Sequence, residues 1–172
     1  MEKLSGTILV FIIIIGLGTQ ESCKVSYSFK GTTIDPRIKT FSVQNFNNRA
    51  PLVQARLSQN LTDALKDKIQ SQTSLNLVNG FADVEFSGDI TNYETRPTAI
   101  TGQETAALNR FTISLKVKYT NTVNPELSFE TSFSKYEDYE SSKNLASVEE
   151  ELMKLIVDNM VEDIFNRAFI NW

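Results

Sequence analysis

Cys23 is the single thiol of a 172-residue chain that contains no histidine. A thiol can take an acyl chain, close a disulfide, ligate a metal or attack a carbonyl, and the rest of the sequence narrows these options. There is no second cysteine for an internal disulfide. Serine, cysteine and zinc hydrolases draw their base or ligand from histidine, so the usual forms of those sites are excluded. After residue 22 the glycines are Gly31, Gly80, Gly88 and Gly102, too scattered for a phosphate-cradling loop. Cys23 therefore has another use, or none as a free buried thiol.

Carboxylates are the other candidates. Asp83, Glu85 and Asp89 alternate along one face of a strand pattern, and Glu149, Glu150 and Glu151 stand near the start of a helical pattern. A general acid–base pair needs its two pKa values pushed apart by burial or a neighbouring charge. These positions fall on faces expected to meet water, so they read as solvated surface. No catalytic residue, metal site or cofactor is expected.

The setting of Cys23 gives the chain its address. Lys3 is followed by an uncharged apolar run from Ile8 to Ile15, and Gly16 to Ser22 is small or polar with Glu21 its one charge. This is the three-part layout of a secretory signal, and the run is too short to cross a hydrocarbon core of roughly 30 Å. Residues 1–22 are therefore expected to be a lipoprotein signal peptide and residues 23–172 one periplasmic domain. Cys23 resembles the lipobox cysteine of bacterial lipoproteins, although Gln20 and Glu21 depart from the usual pattern. Without the signal, the chain keeps 16 basic and 19 acidic residues. That balance offers no electrostatic footprint for nucleic acid. Lys24 to Lys30 holds no acidic cluster of the kind some lipoproteins use for surface display, so this resemblance implies the periplasmic side.

The elements that must carry these residues follow from periodicity. Val25, Tyr27 and Phe29 alternate in a first strand, and Gly31 to Arg37 turns into the next. Phe41 and Val43 share one face of a second strand. Asn47, Asn48 and Pro51 end it and open a helix, with the proline in the first turn. Leu57, Leu61, Ala64, Leu65 and Ile69 form that helix's apolar stripe, and Leu75 and Leu77 begin a return strand. Asn79-Gly80 signals a turn, after which Val84, Phe86, Gly88 and Ile90 face inward. Glu94 to Arg110 reads as a long connection. Phe111, Ile113, Leu115, Val117 and Tyr119 give the cleanest alternation. Leu127, Phe129 and Phe133 continue it on a partner strand, whose step to Tyr136 suggests a bulge or the end of pairing. Ser147 and Glu150 form a capping box for a last helix. Its stripe of Leu152, Leu155, Ile156, Met160 and Ile164 is widened by Met153, Val157, Val161, Phe165 and Phe169, a second flank for a loop or a partner to cover. The fold class is α+β, a two-layer sandwich with two helices packed on one face of a four- or five-stranded mixed sheet.

Several stretches together carry a family likeness: TFSVQNFNNRAP leading into LSQNLTDALKDKI, then DVEFSGDITNYE, TGQETAALNRFTISLKVKY and the terminal VEDIFNRAFINW. In this order, after a strand that starts at the cysteine, they resemble LptE, the lipopolysaccharide-assembly outer-membrane lipoprotein, in its Bacteroidetes form. The resemblance implies a non-enzymatic protein, lipid-anchored through Cys23 on the periplasmic side of the outer membrane. It implies two partners: an LptD-type β-barrel, which the protein plugs and helps to assemble, and lipopolysaccharide. An anionic lipid needs local cations. Lys116, Lys118 and Lys135 on adjacent strands, with Arg96 and Arg110 at the loop ends, are the candidate contacts; ordinary solubilising charges are the alternative. A pilot or scaffold of another outer-membrane complex, or a periplasmic lipid carrier, would use the same anchor and fold.

Overall fold

Period-two alternation in two long segments builds the centre of the molecule. A computed structural model describes residues 34–52, 54–98 and 107–170. Cys23, the expected signal and the expected strand at Val25–Phe29 lie outside the described residues. Strand β1 (Thr40–Val43), β2 (Asn47–Asn48), helix α1 (Ala55–Gln72), β3 (Asn76–Leu77), β4 (Val84–Pro97), β5 (Leu108–Asn121), β6 (Phe129–Glu140) and helix α2 (Leu145–Phe169) follow in chain order. The sheet runs β3-β1-β4-β5-β6, with β2 also paired to β4. Pairing is parallel among β1, β3 and β4 and antiparallel from β4 to β6. This is the mixed sheet and two-helix layer of the expected class.

The inner face of the sheet is apolar and closed. Phe41, Val84, Phe86, Ile90, Phe111, Ile113, Leu115 and Val117 are fully buried, and so are Leu57, Leu61, Leu65 and Ile69 of α1. At one end an aromatic cluster pins the last turn of α2 to the sheet. Phe86 and Tyr119 lie 5.0 Å apart, and Phe169 sits 6.0 and 6.2 Å from them. Burial raises the Tyr119 hydroxyl to about 12, against one opposing hydrogen bond from Asn121.

Several local expectations are corrected. Pro51 precedes α1 instead of lying in its first turn, and Gln54 caps the helix by accepting from the Arg56 amide. Asn47 and Asn48 extend the sheet along β4 instead of ending it. The return strand is two residues long and its Leu77 is exposed. β4 and β5 pair as far as Pro97 and Asn109, so both ends of the expected long connection from Glu94 to Arg110 are ladder; residues 99–106 lie outside the described residues. The bulge sits in β4 between Ile90 and Asn92, while β6 stays in register through Tyr136. On an edge strand the inner face tolerates Lys135 and Glu137, whose long stems reach past the core, and Tyr136 simply points outward.

α2 begins at Leu145, one turn earlier in character than the Ser147 box implies. The Asn144 carboxamide accepts from the Ala146 amide, and Ser147 donates back to the Asn144 carbonyl. Leu155 is 44% exposed, so it leaves the expected stripe. The wide second flank needs neither a loop nor a partner: Met153, Val157, Val161 and Phe165 are buried, and α1 packs along α2. Lys68 of α1 pairs with Glu162 and lies 5.5 Å over the Phe165 ring. A helix touching both a sheet and a second helix needs more than one apolar stripe.

Candidate functional site

Among the described residues, no helix lies over the opposite face of the sheet. Alternation along the three long strands sends Glu85, Ser87 and Asp89, then Thr112, Ser114, Lys116 and Lys118, then Glu130, Ser132, Ser134 and Tyr136, to that side. Register sets their neighbours: Asp89 faces Lys116, Ser87 faces Lys118, Lys118 faces Glu130 and Arg96 faces Arg110. The result is a wide polar surface on a rigid ladder.

Its charges are mostly matched within the chain. Lys116 Nζ lies 2.5 Å from Glu130, and Arg49 Nε donates to Asp89 at 2.9 Å beside the Asn47 amide at 3.2 Å. Arg110 grips both Asp138 oxygens at 2.8 Å while its guanidinium stacks 3.6 Å over the Tyr136 ring. Arg96 lies 2.8 Å from Glu94. Hydrogen bonding from Lys116 holds the Glu130 carboxyl low and raises the lysine in turn. Arg49, then Asn47, does the same to Asp89, and Arg110 to Asp138. Asp89, Lys116, Arg110, Glu130 and Asp138 are each shifted toward their charged forms. The surface offers ion pairs and hydrogen bonds to a ligand.

The five candidate cations are not brought together. Lys116 and Lys118 are neighbours on the open face and line a groove of about 290 Å³ with Asn47, Arg49, Asp89 and Glu130. Arg96 and Arg110 share that face nearer the other end of the ladder. Lys135 lies opposite Ile113 on the inner side, where it reaches Asp163 of α2 at 2.7 Å. Among the described residues Lys118 makes no ion pair. Arg49, Asn47 and Tyr136 were not anticipated, because only the β2–β4 and β5–β6 registers carry them onto this face.

Asp83 has a separate, structural role. Its carboxylate accepts from the Lys39 and Thr40 amides at 2.8 and 2.9 Å and from the Thr40 hydroxyl at 2.9 Å, and these bonds lower its pKa. Glu149, also read as solvated, accepts a hydrogen bond from the hydroxyl of buried Tyr93, whose pKa is raised by burial and then by this carboxylate.

The class defined by these features is a two-layer α+β module with one face closed by helices and one open, ion-paired face. The same fold occurs in a neuraminyllactose-binding hemagglutinin homologue from Helicobacter pylori, at 8% identity over 83% of this chain and 89% of that one, with a TM-score of 0.53. A hypothetical protein from Chlamydia trachomatis matches at 8% identity over 78% and 99%, TM-score 0.51. A minor lipoprotein from Acinetobacter baumannii matches at 12% over 76% and 91%, TM-score 0.50. No curated protein matches the chain by sequence. A family model does match, over residues 38–168, and its description is lipopolysaccharide-assembly. The chain belongs to the LptE family.

Proposed function

We propose that this protein is a non-enzymatic outer-membrane lipoprotein that plugs an LptD-type β-barrel, helps it to assemble and assists delivery of lipopolysaccharide to the cell surface. Cys23, freed by removal of residues 1–22, carries the lipid, and the protein faces the periplasm within the barrel. Membership of the lipopolysaccharide-assembly family supports this reading. The structural observation that carries it is the open face: a surface whose charges are largely paired within the chain suits the water-filled lumen of a large barrel. Unpaired fixed charges would face a polar wall with no guarantee of a match.

Within that face the lipopolysaccharide contacts are Lys118 and its groove neighbours Lys116 and Arg49, with Arg96 and Arg110 as a second cationic pair. Lys135 contributes to the edge through Asp163. A carrier of free lipid is disfavoured by the filled interior, in which Phe41, Phe86, Phe111 and Leu57 occupy the space between the layers.

The test is a mild-detergent purification of the full-length protein from its native membranes with mass spectrometry of what accompanies it. A co-purifying barrel of LptD type, together with an acylated Cys23 at the mature amino terminus, is the expected result. Recovery with an unrelated outer-membrane pore would instead support a pilot or scaffold.

A further inference from the structure

Three of the six large hydrophobic side chains exposed among the described residues gather at one end of the sheet. Phe81 is 100% exposed, Leu127 40% and Leu77 37%. Register puts them together. Leu77 and Val84 both flank Phe41, and Val84 pairs with Asn121, whose turn leads into the short helix Pro125–Leu127. Asp83 ties this end into one unit, because its carboxylate holds Lys39 and Thr40 while its carbonyl accepts from the Thr122 amide and hydroxyl at 2.9 Å. Gly80, at φ +94°, makes the turn that projects Phe81.

The chain also arrives here. Ile34, the first described residue, leads through Ile38 into the start of β1, and only residues 24–33 separate it from Cys23. Ten residues span at most roughly 35 Å when fully extended. A lipid on Cys23 therefore keeps this end of the sheet within that reach of the bilayer surface.

We propose that Phe81, with Leu77 and Leu127, is a membrane-contacting tip that lays the sheet end against the periplasmic leaflet of the bilayer that holds the lipid anchor. The proposal rests on the lipoprotein reading above. A phenylalanine wholly in water at the tip of a glycine turn has no folding role, whereas an interface buries its ring at no cost in polar groups. Arg37 is tied to Asp35, and the Asp83 carboxylate lies against the Lys39 and Thr40 amides, so among the described residues no free cluster of cations marks this end. The contact is accordingly apolar, insensitive to salt and independent of anionic headgroups. One aromatic side chain is too little to recruit the protein by itself; it orients a protein already tethered.

The chain has one tryptophan, Trp172, so Trp172→Phe with Phe81→Trp gives a single reporter at the tip. The acylated protein is reconstituted into phosphatidylcholine vesicles containing lipids brominated high in the acyl chain. A blue shift and loss of emission at position 81, unchanged by salt, is expected, with no loss when the reporter is instead Tyr136→Trp on the open face. Unshifted, unquenched emission at 81, or equal quenching at 136, overturns the proposal. Mass spectrometry of the amino terminus reports separately on the anchor. Should Cys23 carry no lipid, a Cys23→Ser chain held through an amino-terminal histidine tag on nickel-chelating lipids supplies the tether. Quenching at 81 there upholds the tip contact without the anchor, and its absence there overturns it.

Discussion

The two faces of one sheet have been put to opposite uses. On β5, residues 111, 113, 115, 117 and 119 are buried under two helices, while residues 112, 114, 116 and 118 point into the open. The covered face is held by burial, at roughly 25 cal/mol per Å² of apolar surface. The open face is held by ion pairs that contribute little to folding, because exposed pairs are screened and give up side-chain entropy. Under the proposed function, stability and recognition are separated by the alternation of a single strand, and a substitution on one face should leave the other property alone.

The largest expected effect lies where the covered face is completed by helix against helix. Phe165→Ala should cost about 3–5 kcal/mol, the range for truncating a buried phenylalanine, and lower the thermal midpoint accordingly. An unchanged midpoint would return the second flank of α2 to a partner. Gly88→Ala should come next. An added Cβ would sit 2.3 Å from the Lys116 carbonyl and 2.9 Å from the Phe46 ring, so the backbones of β4 and β5 must part. Overpacking of this kind costs about 1–3 kcal/mol, and denaturant unfolding would measure it.

Smaller still is the contribution of Asp83, present at neutral pH and lost in acid. Its carboxyl is lowered below the usual 3.8 by bonds from Lys39 and Thr40. A depressed pKa contributes stability above the unfolded value that is lost as pH falls through the folded one. Asp83→Asn should therefore unfold more easily at neutral pH and show a flatter decline below pH about 4, followed by circular dichroism. The smallest effect on folding is expected from Lys116→Glu combined with Lys118→Glu. The thermal midpoint should hold, while binding to lipopolysaccharide falls; a midpoint that drops sharply would show that the open face also supports the fold.

The covered face was legible in the sequence because burial writes itself as periodicity: the stripe of α1 and the alternation of β4 and β5 needed no tertiary knowledge. What periodicity could not convey was which surfaces meet. The second flank of α2 reads as unclaimed until α1 is seen beside it. Asn144 and Ser147 are both competent caps, and the choice depends on where Leu145 and Val148 pack against the core. Lys135 reads as a cation beside Lys116 and Lys118, but the edge strand keeps register and turns the lysine toward Asp163. The open face was the least legible part. Ion pairs such as Arg110 with Asp138 and Arg49 with Asp89 join residues far apart in the chain, and only register reveals them.

The direct test of the division between the faces is site-specific photo-cross-linking in living cells. A photoreactive residue replaces Ser114 at the centre of the open face or Asp158 on the exposed side of α2. If the open face lines the barrel, position 114 should cross-link to the LptD-type partner far more strongly than position 158. Strong cross-linking from 158 with none from 114 would contradict the assignment of recognition to the open face.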